Sequence, residues 1–184
     1  MTARVLPHRD KDAILRLYSH YFNAEELMYE MFQKFHKKAR IKNLSEKDTV
    51  DRRSFLYYWL SSLYVVIEGF VELDVPTLLR CRPSNFEEIV DQAKLVLDHA
   101  RQRSSELKLY RNATFHYQKD SQKHRSFLFA DGSLVWALEL QFQLQEFFSA
   151  YRVNCEVIYM LEGRLEESEI ASAPKRRRKT RAAS

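Results

Sequence analysis

Glycine, proline and cysteine are all scarce in this chain of 184 residues, which contains three, four and two of them respectively. Sandwiches and barrels need many turns rich in glycine and proline, so this scarcity argues against an all-β fold. The chain is instead 45% apolar and 30% charged, a composition typical of helices that bury one face. We therefore expect an all-α fold, a bundle of four or five helices, with a core that needs no disulfide or metal.

The two cysteines form no recognisable metal or disulfide pattern. Cys81 and Cys155 lie far apart in sequence and outside any CxxC or Cys/His spacing. The sequence thus predicts neither a metal site nor a cofactor, and a reducing, cytoplasmic setting fits it best.

The sequence also lacks a convincing membrane segment. Residues 1–8 have no apolar core of the kind that a signal peptide needs. The most apolar segment, from Phe55 to Leu73, carries Glu68 and Glu72, and carboxylates are costly inside a bilayer. We expect no membrane span.

Positive charge is abundant only in parts of the chain. The net charge is +5, but residues 173–184 hold six Lys and Arg and no acid, and without those six charges the net charge is −1. We expect one domain over residues 1–164 and a disordered basic tail over 165–184. The tail could dock RNA, act as a localisation signal or simply be solvated. A second basic region runs from Lys94 to Arg125, with eight Lys and Arg against three acids, and would suit a polyanion.

The few glycines and prolines fall where helices should end, which predicts four substantial helices. These span about residues 10–41, 50–73, 84–110 and 134–162, with a polar loop over 119–125. The spacing of Ser84 and Glu87 predicts a capping box at the start of the third helix.

The second helix is apolar nearly all round and therefore belongs in the middle of the bundle. Within it, Gly69 would permit close approach of another helix, and Glu68 is a carboxylate that needs a partner if it is buried. The aromatic residues Tyr57, Tyr58 and Trp59 are predicted to lie in the core rather than to stack on nucleobases, as are Phe127 and Phe129.

The stretch from Leu109 to Gln118 brings an arginine, an amide and a histidine together at the end of the third helix: Arg111, Asn112 and His116. An arginine five residues before a histidine is common by chance, so the context carries the argument. That context is the amide after Arg111, the order of four helices and the apolar central helix with Glu68. Together these resemble the HEPN superfamily, helical domains found in many prokaryotic ribonuclease toxins and antiviral effectors.

The resemblance covers about residues 10–152 and implies a function. The family signature is Arg, a polar residue, a short spacer and His, which Arg111, Asn112 and His116 match, and HEPN domains build their active site across a homodimer. The resemblance therefore implies a metal-independent endoribonuclease, a toxin or antiviral effector regulated in some cases by an antitoxin or another partner protein. Toxins of the nucleotidyltransferase-regulated branch carry Tyr two residues after the His, whereas here that place is Gln118 and Tyr117 directly follows His116.

Elementary chemistry supports the same assignment. Cleavage of RNA without metal needs a base for the 2′-hydroxyl proton, an acid for the leaving 5′-oxygen and positive charge on the phosphate. Two copies of His116 and Arg111, facing each other across a two-fold axis, would supply that set. Asn112 would orient the histidine or the phosphate.

Supporting and RNA-binding roles are predicted for residues near this motif. Glu68 could fix Arg111, and Tyr117 could support the site. Positively charged side chains on both sides of the motif could bind the RNA backbone: Lys108, Lys119, Lys123 and Arg125.

Two other interpretations remain open from the sequence. The cluster could tie the third helix to the fourth in a catalytically inactive module that binds RNA, a nucleotide or a protein. The chain could also be an antitoxin-like or scaffold subunit whose dimer face serves another protein.

Overall fold

The computed structural model of the protein describes residues 5–116 and 122–168, with side chains from residue 126 onward in the second range. These residues form helices joined by short connections, and they contain no strand. The predicted all-α fold is confirmed.

The described residues form eight α-helices, four of them long. In chain order they are α1 (Ala13–Leu17), α2 (Asn23–Ile41), α3 (Glu46–Glu72), α4 (Val75–Arg80), α5 (Glu87–Phe115), α6 (Gln122–Phe129), α7 (Ser133–Leu161) and α8 (Leu165–Ser168). A π-helical turn, Tyr18–Phe22, joins α1 to α2 without a break, and 3₁₀ turns precede α1 and α5.

The long helices match the predicted set, but several predicted details are wrong. The capping box does not form, because Ser84 lies in a 3₁₀ turn and α5 begins at Glu87 itself. The predicted loop is wrong in part, since residues 122–125 belong to α6. The predicted tail is wrong at its start, because Leu165–Ser168 form α8 and Glu167 accepts a hydrogen bond of 2.8 Å from the backbone N–H of Arg9.

The long helices pack as a bundle in which α3 lies against both α2 and α5, and α7 lies against α5. Aromatic rings fill the space between them. The ring of Phe70 on α3 meets that of Phe147 on α7 edge to face at 4.9 Å, and Phe22 of the π turn lies 4.6 Å from Phe148. The π turn is therefore packed directly against α7.

Helix α3 is the central helix, as its composition predicts. By length and composition alone it could also cross a membrane. Its second half, however, buries Trp59, Leu60, Leu63, Val66 and Phe70 within the bundle. Packing within this chain therefore accounts for its apolar character.

Gly69 provides the close helix approach that the sequence predicts. A Cβ atom at this position would lie 2.6 Å from Cδ1 of Leu17, which is a buried residue of α1. Only glycine leaves room for the leucine in its present place.

Buried Asp12 fastens the first helix to the rest of the bundle. Its Oδ1 accepts hydrogen bonds from the backbone N–H groups of Ile14 and Leu15 and caps α1. Its Oδ2 accepts from Arg82 at 2.9 Å and from the Tyr151 hydroxyl at 2.7 Å. One carboxylate thus joins the start of α1, the connection between α4 and α5, and α7.

Candidate active site

The Arg111–Asn112–His116 motif lies at the carboxyl end of α5. The helix runs through Phe115, about one turn beyond the predicted end, so Arg111 and Asn112 are still helical. His116 is the first residue outside the helix: its backbone is extended, and its N–H donates to the carbonyl oxygen of Asn112 at 3.0 Å. The helix end therefore presents an exposed His116 side chain at the surface.

Arg111 is half-buried and held by its neighbour. Its Nη1 donates a hydrogen bond of 3.0 Å to Oδ1 of Asn112. Its Nε is buried and has no hydrogen-bond partner. Nε of Arg82 and of Arg152 is buried without a partner in the same way. Asn112 thus orients Arg111, whereas the sequence led us to expect it to orient the histidine or the phosphate.

The His116 ring makes no hydrogen bond or ion pair within the described part of the chain. A base and an acid on opposite sides of one phosphate cannot both come from this single imidazole in one step. The motif therefore has the right chemical groups for one half of an acid–base pair, with an arginine beside it.

Glu68 is not the partner of Arg111 that the sequence predicts. No ion pair within 4 Å joins the two side chains in the described structure. Glu68 is half-buried and accepts a hydrogen bond of 3.0 Å from the Tyr64 hydroxyl. Burial, and then the nearby Glu68 carboxylate, raises the pKa of Tyr64, while Arg111 acts in the opposite direction. Glu68 and Arg111 therefore act on the pKa of the same tyrosine, in opposite directions.

A groove lies between α3 and α5, and its lining on α5 ends at Lys108, three residues before Arg111. Its volume is about 320 Å³, and Tyr64, Glu68 and Glu72 line it on α3, with Ser104 and Lys108 on α5. Lys108 is exposed there, as a residue that binds RNA must be. The other predicted supporting and RNA-binding side chains lie outside the described residues: Tyr117, Lys119, Lys123 and Arg125.

Two aromatic rings beside the motif are exposed, those of Tyr58 and Phe115. Tyr58, predicted to lie in the core, is 47% exposed, and Phe115 is 52% exposed. Their rings are roughly parallel, with planes at 26° and centroids 6.3 Å apart. Phe129 is also exposed, against prediction, whereas Trp59 and Phe127 are buried as predicted.

Within the described residues, no three His, Cys, Asp or Glu side chains lie close enough together to hold a metal ion. Comparisons with models of known protein families, with curated proteins and with solved structures gave no match.

Proposed function

We propose that this protein is a metal-independent endoribonuclease of HEPN type, a homodimeric toxin or antiviral effector that cleaves RNA with paired Arg111–Asn112–His116 motifs. The observation that carries the proposal is the end of α5, where an exposed His116 directly follows the helical turn that holds Arg111. The Arg111 guanidinium is oriented by Asn112 and keeps an unpaired Nε.

The proposed reaction is an internal transesterification. One His116 imidazole removes the proton of the 2′-hydroxyl, and the 2′-oxygen forms a bond to phosphorus. The bond from phosphorus to the 5′-oxygen breaks, and the second His116, from the partner chain, donates its proton to that oxygen. The products are a 2′,3′-cyclic phosphate and a 5′-hydroxyl end. The two Arg111 side chains stabilise the extra negative charge on the phosphate in the transition state.

The need for a second chain follows from the chemistry of one motif. Within the described residues the motif of each chain supplies one imidazole, that of His116. Two-fold symmetry is the simplest way to bring a second imidazole opposite it. His116 is exposed at the end of α5 within the described structure, and the proposal places the partner chain's motif opposite it.

The direct test is cleavage of RNA in EDTA by the wild-type protein, by His116→Ala and by Arg111→Ala. We expect cleavage by the wild type only. Alkaline phosphatase should remove the terminal phosphate of the products only after acid has opened the cyclic phosphate. Each variant should lose at least about 100-fold in rate, the usual contribution of one acid–base or charge-stabilising group. His36→Ala is the matched control, because His36 is an exposed histidine on α2, on another helix from the motif. Equal cleavage by wild type and His116→Ala would refute the proposal.

A second candidate function is a catalytically inactive module that binds RNA, a nucleotide or a protein. The observation that favours it is the His116 ring, which has no partner within the described residues to set its orientation or tautomer. RNA binding that depends on Lys108 and Arg111, survives His116→Ala and is accompanied by no cleavage would support this second function.

A further inference from the structure

Tyr58 and Phe115 are exposed, as are Tyr21, Phe129 and Phe142, but the rings of Tyr58 and Phe115 lie next to each other. The rings of Trp59, Phe70 and Phe147 are buried among other side chains, whereas this pair leaves about half of each residue open to solvent. Large rings normally gain stability by burial, so two neighbouring, nearly parallel rings at the surface offer apolar area to something outside the chain.

Positive charge lies on the same face as these rings. The Arg111 guanidinium carbon lies 6.0 Å from the centroid of the Phe115 ring. Lys108, Arg111 and Phe115 are spaced three and four residues apart on α5, which places them along one face of the helix. The carboxylate of Glu68 lies further along the groove and accepts the Tyr64 hydroxyl hydrogen bond. The rings are therefore next to cations, and His116 follows Phe115 directly.

We propose that Tyr58 and Phe115 form a stacking platform for an unpaired base of single-stranded RNA, next to the phosphate that Arg111 binds. Bases stack on aromatic side chains while basic residues hold the backbone, and every base has a flat face, so such a platform tolerates many sequences. The inference rests on the proposed function for its choice of RNA. It adds a requirement: the RNA must be unpaired at the base beside the cleaved phosphate.

Adjacent cations favour RNA over a protein partner here. A stable protein interface buries about 1,000 Å² or more with a core depleted of charge, whereas this platform consists of two rings bordered by Arg111, with Lys108 about two turns away on the same helix. A flat base over the rings, with its phosphate at the guanidinium, satisfies both features at once.

The test uses full-length His116→Ala, which should bind RNA without cleaving it, and a short fluorescent oligoadenylate read by anisotropy. In this background, Tyr58→Ala and Phe115→Ala should each weaken binding at least about fivefold. Tyr58→Phe and Phe115→Tyr keep a ring and should restore affinity. Phe142→Ala is the matched control, because Phe142 is 59% exposed on α7 and should have no effect.

A ligand without bases separates stacking from charge. An abasic ribose-phosphate oligomer of the same length should bind more weakly than oligoadenylate, and Phe115→Leu, which keeps apolar bulk, should not weaken it further. Lys108→Ala should weaken both ligands alike. The loss of affinity on removing the base and the loss on removing the ring should therefore not add, as expected for two groups in direct contact.

Several outcomes would overturn the platform. They are unchanged oligoadenylate affinity in Phe115→Leu, equal losses for the two ligands, and no RNA binding by His116→Ala at all. Equal losses together with dissociation of a dimer in sedimentation would identify the rings as a protein interface instead. The ribonuclease proposal can fail independently of the platform. A wild-type protein that never cleaves RNA, yet needs the rings to bind oligoadenylate, would support the platform and refute the ribonuclease proposal.

Discussion

The amide of Gln141 on α7 donates a hydrogen bond of 3.0 Å to the carboxyl oxygen Oε2 of Glu25 on α2, and Glu25 has no exposed surface. Oε1 of the same amide accepts a hydrogen bond of 2.8 Å from the Trp59 indole, whereas Oε1 of Glu25 has no partner. No Lys, Arg or His forms an ion pair with Glu25 in the described structure. Burial therefore raises the pKa of Glu25 to about 8, with the hydrogen bond from Gln141 opposing the shift.

This buried acid should make the protein less stable as pH rises. A carboxyl group with a folded-state pKa above its unfolded value holds a proton that the unfolded chain has already lost. Its contribution is complete below about pH 4.5 and is lost progressively as pH rises through about 8. At about 1.4 kcal/mol per pKa unit, the loss amounts to a few kcal/mol.

Glu25→Gln mimics the protonated acid and should flatten this dependence between pH 5 and 8, measured as the free energy of urea unfolding. Glu26→Gln is the matched control, because Glu26 is the next residue, is half-buried and accepts from Gln145 of α7 in a similar way. The same slope in wild type and Glu25→Gln would contradict the burial of a neutral acid.

Loss of Asp12 should destabilise the fold by about 3–5 kcal/mol. Asp12→Ala removes the cap of α1 and leaves the Arg82 guanidinium, whose side chain is 12% exposed, without its carboxylate. Asp12→Asn keeps a capping oxygen and should lose less than Asp12→Ala. Asp10→Ala, two residues away and exposed, should cost less than about 0.5 kcal/mol. Unfolding midpoints in urea would show the order, and equal effects at positions 10 and 12 would contradict it.

The effect of Gly69→Ala should depend on Leu17. In the wild type the new methyl group would meet the Leu17 side chain, so the overpacking should offset or exceed the helix propensity that alanine gains, about 1 kcal/mol. In a Leu17→Ala background the space is free, and Gly69→Ala should stabilise by up to about 1 kcal/mol. A double-mutant cycle of unfolding free energies measures this coupling, and additive effects would mean that the two residues do not limit each other.

Much of the fold could be predicted because the sequence marks most of its helix ends. Scarce glycine and proline mark most of the helix ends, and the apolar run of α3 identifies the central helix. The end of α5 could not be placed, because no glycine or proline stands between Tyr110 and His116. A continuous apolar run also does not show which face of the helix is buried, so exposed Tyr58 could not be distinguished from buried Trp59.

The burial of Glu25 could not be predicted because residue type is misleading on α2. A leucine is ordinarily expected inside and a carboxylate outside. Here Leu27 is 52% exposed, whereas Glu25 is fully buried and accepts a hydrogen bond from Gln141 of α7. Similarly, Arg111 and His116 are predictable as residue types, but the link from Asn112 to Arg111 depends on side-chain geometry.

A mixed dimer offers the sharpest test of the paired motif. Wild-type and His116→Ala chains with different affinity tags, co-expressed and purified through both tags, give dimers with one intact motif. If one phosphate needs both imidazoles, these dimers should cleave RNA at least about 100-fold more slowly than wild type. If each chain has its own complete site, they should keep about half of the activity. Mixed dimers with His36→Ala control for the tags and should keep full activity. Half activity with His116→Ala, or a monomer that cleaves at the wild-type rate, would show that a single motif suffices.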